Sequence, residues 1–417
     1  MNVLFLTQVL PYPLVGGAKI RAYYMLRTLA QTHNVTLVSF VREDDRPEYV
    51  AHLRQFCRQV HVAPMERSRL RDGLALAESV VTGRPAVIVR DRLRVMRRLL
   101  ARLVREEHFD VVHADQTTMA QYALYARSVS ANGRPPRLVL DQHNALHLLV
   151  KRQARYERGP ARWLWRWEAA RLRRYEADLC RRFDRILTVT AEDRQALLGL
   201  LPRSEATAVD KRLRVIPICV DPGEQPALQP VAQSGHILHL GTMFWPPNVE
   251  GVLWFAQEVL PRVLREAPDA CFTIAGKNPP PAVQALADAG SPVAGHVEVT
   301  GFVADPQPLL DRSRVFIVPV RAGGGMRVKI LDAWQWGLPV VSTTVGAEGI
   351  DVRPEENVLL ADTPAAFAEA VVRVLRRDEV AERLRRNGRR WVARHYDWRQ
   401  EYGRVEELYQ GLQGAQA

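Results

Sequence analysis

The sequence predicts an α/β protein built from two doubly wound parallel-sheet domains that face each other across a cleft. Three observations predict this fold class. Short apolar runs alternate with longer helical patterns along the 417 residues, which is typical of βαβ units and parallel sheets. The alternation stops at Asp221–Gly235, a segment rich in Pro, Gly and Gln without periodicity, and then restarts. The length suits two or three domains of about 100–200 residues each.

The elements follow in order on the two sides of this break. In the first half the predicted strands are Val3–Thr7, Val35–Phe40, Val60–Ala63, Val111–Ala114, Leu138–Asp141, Ile186–Thr190 and Val215–Ile218, with helices that include Lys19–Gln31, Arg90–Glu107 and Ala161–Arg182. In the second half the strands are Ile237–Gly241, Phe272–Ala275, Val297–Gly301, Val315–Val318, Val340–Ser342 and Val358–Leu360, with helices at Val249–Glu266, Val283–Ala289, Arg327–Trp336 and Pro364–Arg377. The charged tail Glu379–Leu412 is predicted to be helical. We therefore predict domains at 1–220 and 236–378, a linker at 221–235 and C-terminal helices at 379–417.

The composition is that of an average globular protein, with 47% apolar and 25% charged residues. It excludes a disordered, collagen-like or disulfide-rich chain. The four cysteines are far apart in sequence, so we expect neither a zinc site nor a disulfide framework, and a reducing, cytoplasmic compartment. No run reaches the ~18 apolar residues of a membrane-spanning helix. Pro11 and Pro13 interrupt the apolar N-terminus, which is read as a strand and turn rather than a signal peptide.

Positive charge is concentrated in the first half. Residues 1–210 hold 35 Lys and Arg against 22 Asp and Glu, whereas residues 211–417 hold 23 against 24. A basic face suits nucleic acid, anionic lipid or an anionic substrate. The alternative is a bias of composition, because Arg outnumbers Lys 53 to 5. Known nucleic-acid motifs are absent, so we expect no nucleic-acid partner.

Two glycine-rich turns precede helices, where free backbone amides favour an anionic ligand. The first is Gly16-Gly17, after the first strand; it is equally compatible with an ordinary turn. The second is Gly323-Gly324-Gly325, followed by Arg327 and Lys329 in the first turns of a helix, a pattern that suits a diphosphate. Asp332 lies a turn further on and could accept hydrogen bonds from ribose hydroxyls. Neither G-x-G-x-x-G nor a P-loop is present, which disfavours NAD and FAD.

The ordered motifs resemble a known family. HILHLGTMFWPPNVEGVLWF, FTIAGKNP, VEVTGFVAD and GGGMRVKILDAWQWGLPVVSTTVGAEGI in the second half, and FDVVHADQ, DQHN and RILTVTAED in the first, are similar to family 4 of the retaining, nucleotide-sugar-dependent GT-B glycosyltransferases. The resemblance covers nearly the whole chain. It implies a hexosyltransferase-like enzyme of the GT-B fold, in which the C-terminal helices return to the N-terminal domain.

The resemblance also implies residue roles. His143 would contact the transferred sugar, Lys329 and Arg327 the phosphates, and Asp332 the ribose. Further donor contacts are implied at Gly16, Gly17, Gly241, Lys277, Gly301, Phe302, Gly323, Gly324, Gly325 and Met326. The implied reaction moves a sugar from a UDP- or GDP-sugar to a hydroxyl of a glycan, glycolipid or small molecule, in polysaccharide or glycoconjugate biosynthesis. The nucleotide sugar is a substrate, and no cofactor or metal is expected, since no Asp-x-Asp occurs.

The sequence departs from the family pattern at two places. The usual Glu-x7-Glu pair is replaced by Gly324 and Asp332, and the usual Arg and Lys after the first strand of the donor domain are absent, since Gly241 is followed by TMFWPPN. We hypothesise that Arg327 and Lys329 supply the phosphate charge instead. The lost glutamate leaves open a catalytically silent, nucleotide-sugar-binding subunit. Another GT-B enzyme, such as a sugar-nucleotide epimerase or a phosphorylase, is a further alternative.

A last motif is RWLWRWE, at Arg162–Glu168 in the long basic helix. Tryptophan beside arginine is favoured at a membrane interface. The alternative is that these tryptophans pack into the N-terminal domain. If the tryptophans lie at an interface, the motif predicts either a lipid-linked acceptor or peripheral contact with the inner face of an anionic membrane.

Overall fold

The computed structural model of the chain describes residues 1–130, 134–154, 157–223, 228 and 234–414. These residues form two compact units. The first comprises the described residues of Met1–Cys219 and Trp398–Ala417, and the second those of Val220–Asp397. Most of the predicted linker, 221–235, lies outside the described residues.

The first unit is a parallel seven-stranded sheet with helices between the strands. The strands are β1 (Asn2–Thr7), β2 (Asn34–Val41), β3 (Gln59–Pro64), β4 (Val111–Asp115), β5 (Arg137–Gln142), β6 (Arg185–Thr188) and β7 (Leu213–Val215). The helices are α1 (Gly17–Leu29), α2 (Pro47–Leu53), α3 (Arg69–Thr82), α4 (Ala86–Arg90), α5 (Arg94–Glu106), α6 (Ala120–Val129), α7 (Leu146–Gln153), α8 (Gly159–Arg182), α9 (Ala191–Leu198) and α10 (Arg203–Asp210), with a 3-10 turn at Thr117–Met119. The strand order is β3-β2-β1-β4-β5-β6-β7, so the order reverses between β1 and β4.

The second unit repeats this design with six parallel strands. They are β8 (His236–Leu240), β9 (Cys271–Ala275), β10 (Val297–Gly301), β11 (Val315–Val318), β12 (Val340–Ser342) and β13 (Leu359–Leu360). Its helices are α11 (Pro246–Trp254), α12 (Leu260–Glu266), α13 (Pro281–Gln284), α14 (Gln307–Arg312), α15 (Val328–Trp336), α16 (Pro364–Arg376) and α17 (Asp378–His395), with a π-helical turn at Phe255–Val259 and 3-10 turns at Ala285–Ala287 and Val345–Ala347. The order β10-β9-β8-β11-β12-β13 reverses between β8 and β11.

The strands are apolar runs because both faces of each sheet are covered by helices. In β4 all five residues are buried, and in β11 all four are. Side chains such as Leu4 and Val112 on one sheet, and Phe272 and Ile317 on the other, lie fully inside the two cores. Ligands of such open sheets bind beyond the carboxyl ends of the strands, where the strand order reverses. Each unit therefore has its own reversal point at which to look for a site.

The C-terminal segment is shared between the units. Of the helices predicted at 379–417, α17 belongs to the second unit, because Gly388 lets it approach Trp334: a Cβ at Gly388 would lie 2.5 Å from that ring. From Trp398 onward the chain belongs to the first unit, with helices α18 (Trp398–Glu401) and α19 (Gly403–Gly414). There Trp398 stacks on Tyr24 with ring centroids 5.2 Å apart.

Four predicted elements differ in the structure. The strand predicted at Val215–Ile218 is β7, which begins two residues earlier and ends three residues earlier. The helix predicted at Val283–Ala289 is the short α13 followed by a 3-10 turn. The helix predicted at Arg90–Glu107 is two helices, because the Tyr122 hydroxyl holds a turn between them, donating to the Asp91 carbonyl and accepting from the Leu93 amide. The helix predicted at Val249–Glu266 is interrupted by the π-helical turn just before Pro261, which has no amide hydrogen to continue an α-helix.

Candidate functional site

In the second unit, three strand ends are packed so closely that glycine is required. The Gly241 amide donates to the Ala275 carbonyl (3.0 Å), and the Gly276 amide to the Gly301 carbonyl (2.8 Å). A Cβ at Gly276 would lie 1.7 Å from the Gly241 oxygen. These contacts fix the loops after β8, β9 and β10 as one surface at the carboxyl edge of the sheet. Gly241 lies at the reversal of strand order, next to β11.

The glycine-rich loop after β11 lies at the same reversal. Gly323 and Gly325 have φ of 119° and 81°, which glycine adopts without strain. The buried Arg327 guanidinium donates from Nη1 to the Gly324 carbonyl (2.6 Å) and to the Gly325 carbonyl (3.3 Å), and lies 5.1 Å from the centre of the Trp245 ring. Helix α15 begins at Val328, one residue later than predicted. In this structure Arg327 therefore holds the shape of the loop.

Lys329 reaches from α15 to the loop that follows β8. Its Nζ donates to Asn248 Oδ1 (3.0 Å), 81 residues away in sequence. A Cβ at Gly241 would lie 2.7 Å from this Nζ. The ammonium group of Lys329 therefore lies beside the loop 242–248. This is the segment in which the Arg and Lys usual to the family are missing. Burial and the neighbouring Arg327 lower the pKa of Lys329 to about 7, although Asp332 opposes the shift.

Asp332 lies one helical turn beyond Lys329 on α15. Burial raises the pKa of Asp332 to about 7, and Lys329 acts against this rise. A ligand that brings negative charge to the lysine and hydroxyl donors to the carboxylate would stabilise the charged form of both. A diphosphate joined to a ribose has this chemistry.

His239 is a residue of this site that the sequence analysis missed. It is fully buried in β8, and its Nδ1 lies 3.0 Å from the Ile317 carbonyl oxygen, so Nδ1 carries the proton. Nε2 has no hydrogen-bond partner among the described residues, and a Cβ at Gly241 would lie 3.0 Å from it. Burial, with Lys329 next, holds the pKa of His239 well below its usual value. The signal in the sequence was a histidine inside an otherwise apolar strand.

The remaining predicted residues of this unit lie around the same edge. Gly301 ends β10 with a φ of 71°, and Phe302 after it is 65% exposed. Lys277 is exposed in the loop after β9, where its carbonyl accepts from the Met243 amide (3.0 Å). Met326 is half-buried beside Arg327. An exposed phenylalanine at a strand end is available to stack on a planar ligand.

In the first unit, His143 follows β5 beside the reversal of strand order. Its Nε2 lies 2.8 Å from Oδ1 of Asp115, the last residue of β4. Both side chains are buried, and the carboxylate fixes the plane of the ring. Burial raises the pKa of Asp115 although His143 opposes it. Among the described contacts Nδ1 makes no hydrogen bond, so it is the ring nitrogen left for a ligand.

Asp141, opposite Asp115 in the β4–β5 register, is held by a buried arginine. Arg21 Nε and Nη2 donate to its carboxylate at 2.7–2.9 Å, and Nη1 donates to the Ile216 carbonyl at 2.7 Å. Burial disfavours its charge, but Arg21 and His143 hold the pKa of Asp141 below its usual value. Ligand atoms of Asp115, Asp141 and His143 lie within 4.8 Å of one another. Because the Arg21 guanidinium already neutralises the Asp141 carboxylate, the cluster fits a network of hydrogen-bonded side chains better than a metal-ion site.

The loop that carries His143 is fixed by two acidic residues that the sequence analysis did not assign. Asp193 accepts from the Ala145 amide (2.8 Å), and Glu176 accepts from the Leu146 amide (2.8 Å) and contacts His147 Nδ1 (2.6 Å). These bonds tie the loop to α9 and α8. His143 is therefore positioned from both sides, by Asp115 and by its own backbone.

Gly16 and Gly17 lie at the start of α1, after β1. Gly16 precedes the helix with φ 87° and ψ 151°, a conformation that only glycine adopts easily, and Gly17 is the first helical residue. Space around Gly16 is open, since a Cβ there would meet nothing within 4 Å. The first amides of α1 are thus accessible at the carboxyl edge of the sheet.

Among the described residues no helix is both long and apolar enough to cross a membrane.

Comparisons with known proteins agree with this architecture. A sequence model of Glycosyltransferase Family 4 matches residues 15–224, and one described as Glycosyl transferases group 1 matches residues 234–377. An "Uncharacterized 44.6 kDa protein in cps region" of Klebsiella pneumoniae is 23% identical over 404 residues, covering 93% of this chain and 94% of its own.

Solved structures share the fold over their full length. Anabaena Alr3699/HepE, in complex with UDP and glucose, has a TM-score of 0.67 at 14% identity, covering 99% of this chain and all of its own. Sucrose-phosphate synthase from Thermosynechococcus elongatus has a TM-score of 0.65 at 17% identity, covering all of both chains.

The two parallel-sheet units and these matches define a GT-B glycosyltransferase. The chain belongs to glycosyltransferase family 4.

Proposed function

We propose that the enzyme moves a sugar, with retention of anomeric configuration, from a UDP- or GDP-sugar to a hydroxyl of a glycan, a glycolipid or a small molecule in polysaccharide or glycoconjugate biosynthesis. The observation that carries this proposal is the juxtaposition of Lys329, Asp332 and the glycine-rich loop at the strand-order reversal of the second unit. The complex of Alr3699/HepE with UDP and glucose supports a nucleoside diphosphate donor.

The donor is proposed to bind with its diphosphate against Lys329 and the amides of residues 323–326. A half-buried ammonium and the backbone amides of a glycine-rich loop suit phosphate oxygens. Because the pKa of Lys329 is lowered to about 7 in the absence of ligand, an arriving anion restores its charge. Asp332 accepts the ribose hydroxyls. The exposed Phe302 contacts the base, with Gly301 and Lys277 beside it. Arg327 acts on the phosphates through the loop it holds and by its charge.

The reaction breaks the bond between the anomeric carbon and the diphosphate oxygen. The acceptor oxygen bonds to the same face of that carbon, and its proton passes to the departing phosphate oxygen. Lys329 and the loop amides stabilise the charge on the leaving group. His143, oriented by Asp115, contacts the sugar, while Gly16, Gly17 and Gly241 let backbone approach the donor. A positive side chain and helix amides supply the stabilisation for which other enzymes use a metal, so we propose a metal-independent reaction.

His143→Ala separates binding from turnover. Because His143 contacts the sugar rather than the diphosphate in this proposal, the variant should bind a nucleotide sugar normally and release nucleotide about a hundredfold more slowly. The measurement is thermal shift for binding and free nucleotide for turnover. His108→Ala, an exposed histidine of the same unit, is the matched control. Unchanged turnover in His143→Ala would contradict the assignment.

We also propose that the basic first unit makes peripheral contact with an anionic membrane, which would bring the enzyme to a lipid-linked acceptor. Two neighbouring helices of that unit carry the support for this contact.

A further inference from the structure

Large apolar side chains are unusually exposed on two helices of the first unit. On α3, Leu70 is 76% and Val81 86% exposed, and on α8, Trp163 is 71% exposed. We call the exposed apolar residues of these helices the α3–α8 surface. Its members are Leu70, Leu74, Leu76, Val80, Val81, Trp163, Leu164, Trp165 and Trp167. Helix α3 was not predicted from the sequence, so half of this surface became visible only in the structure.

Helices α3 and α8 contact each other through Arg171, which lies next to exposed residues of both helices. Arg171 of α8 donates to Ser79 Oγ (2.6 Å) and to the Val80 carbonyl (3.4 Å) of α3. The same guanidinium lies 3.1 Å from the centre of the Trp167 ring. Trp167 and Val80 thus flank one arginine, and the apolar residues of the two helices adjoin at this point.

In the exposed N-terminal part of α8, together with the residue before it, every charged residue is positive. Residues 158–167 are all exposed, and they contain Arg158, Arg162 and Arg166 but no acidic residue. The Arg166 guanidinium lies 5.8 Å from the centre of the Trp163 ring. Helix α3 holds two acidic residues, Asp72 and Glu78, and Glu78 is paired with Arg92. The surface therefore combines exposed tryptophan and aliphatic side chains with three arginines in an exposed stretch, 158–167, that contains no acidic residue; Glu168, the next residue, is buried.

A second copy of the chain is a poor occupant of this surface. A twofold contact would place the same patch against itself, and like charges would face one another as the apolar side chains were buried. An anionic lipid bilayer satisfies both features, because tryptophan rings favour the headgroup region and arginine pairs with phosphate. No described helix is apolar enough to span a bilayer, so the helices would lie on it.

We propose that the α3–α8 surface is the membrane-docking face of this enzyme. The apolar side chains of α3 and α8 enter the headgroup layer of an anionic bilayer, and Arg158, Arg162 and Arg166 bind lipid phosphates. This rests on the peripheral contact proposed above and extends it by naming the surface and by adding α3.

The test is flotation of the purified full chain with two kinds of vesicle. One is phosphatidylcholine alone, and in the other phosphatidylglycerol replaces a third of the lipid. We expect the chain to float with the anionic vesicles, and to dissociate in 1 M salt, where the screening length falls to about 3 Å. If the chain floats with neither kind of vesicle at low salt, the proposal is overturned. Equal binding to the two kinds of vesicle would also overturn it.

Variants locate the contact. The double variant Trp163→Ser/Leu164→Ser and the single variant Leu74→Ser should each weaken binding to anionic vesicles, the double variant by about tenfold or more. Arg162→Gln/Arg166→Gln should weaken binding about 25-fold, because each basic residue near an anionic surface contributes roughly fivefold. Loss on α8 with no effect of Leu74→Ser would remove α3 from the proposal.

Matched controls keep the result interpretable. Val62→Ser/Val95→Ser changes exposed apolar residues of the same unit outside the surface, and Arg386→Gln/Arg390→Gln removes exposed arginines of α17. Both should float like the wild type, and a loss as large as in the surface variants would overturn the proposal.

Size-exclusion chromatography without lipid tests whether a second copy of the chain covers the surface instead. A dimer that Trp163→Ser/Leu164→Ser abolishes, together with no vesicle binding, would assign the surface to self-association. Donor-induced thermal shifts should be unchanged in all variants, so failure here is distinct from failure of the proposed reaction.

Discussion

Replacing Lys329 by methionine should weaken donor binding and stabilise the free protein at the same time. Methionine keeps most of the length of the stem and removes the charge. A hydrogen bond to a charged group contributes about 1.5–3 kcal/mol, so affinity for the nucleotide sugar should fall about 10- to 150-fold. If Lys329 had a purely structural role, its replacement would instead lower the stability of the free protein.

The expected gain in stability follows from the half-buried charge of Lys329. Burial lowers the pKa of Lys329 from 10.5 to about 7, and at 1.36 kcal/mol per unit this shift sets a ceiling of about 5 kcal/mol. The lost hydrogen bond to Asn248 and contact with water reduce the gain, so we expect about 1–3 kcal/mol at pH 6. Between pH 7 and 10.5 the unfolded chain holds the proton that the folded chain has released, so wild-type stability rises with pH. The advantage of Lys329→Met should therefore shrink across this window.

Thermal unfolding from pH 6 to 10 measures the stability, and isothermal titration calorimetry measures binding. In buffers of different ionisation enthalpy, wild type at pH 8 should take up close to one proton per donor bound, because the diphosphate recharges Lys329. Lys329→Met should take up none by this route. Arg386→Met, a change of an exposed cation on α17, is the control. Wild-type affinity in Lys329→Met, or a loss of stability matching the loss of binding, would refute the reasoning.

Three further predictions concern close packing and buried charge. Gly241→Ala places a Cβ 2.7 Å from Lys329 Nζ and should weaken donor binding about tenfold in calorimetry; wild-type affinity would contradict this. Gly276→Ala puts a Cβ 1.7 Å from the Gly241 oxygen and should cost about 3 kcal/mol or more of unfolding free energy in denaturant; a cost under about 1 kcal/mol would show that the strand ends can separate. Asp141→Asn leaves the buried Arg21 uncompensated and should cost about 3–5 kcal/mol. A change as small as at a surface pair, or no recovery on adding Arg21→Met, would argue that the pair is not buried in solution.

The strands could be predicted because doubly covered parallel strands are short apolar runs between helical patterns, which local sequence reveals. Helices such as α3 were missed because their apolar residues are exposed and do not mark a core face. The neighbourhood of Lys329 was out of reach of local patterns: its contact with Asn248 joins residues 81 apart, and it arises because β8 and β11 pair in the sheet.

Individual roles were harder to predict than the motifs that contain them. His143 and Lys329 were predicted as site residues from their motifs, but Asp115, which orients His143, gave no separate signal because it ends an ordinary strand. His239 was passed over as one residue of an apolar strand. Arg327 was expected at the phosphates, yet its guanidinium binds the loop carbonyls and lies against Trp245, 82 positions away in the sequence. Tertiary packing, which sequence spacing does not report, decides these roles.

The central claim is that this family 4 glycosyltransferase binds a nucleotide sugar through its second unit and uses it as a glycosyl donor. The most direct test is to offer the purified full chain a panel of UDP- and GDP-sugars, recording the thermal shift and then the free nucleotide released. We predict that one donor raises the unfolding temperature and is slowly hydrolysed without acceptor. No shift with any donor would contradict the donor site, and binding without release, even with membrane extract added, would contradict its use in transfer.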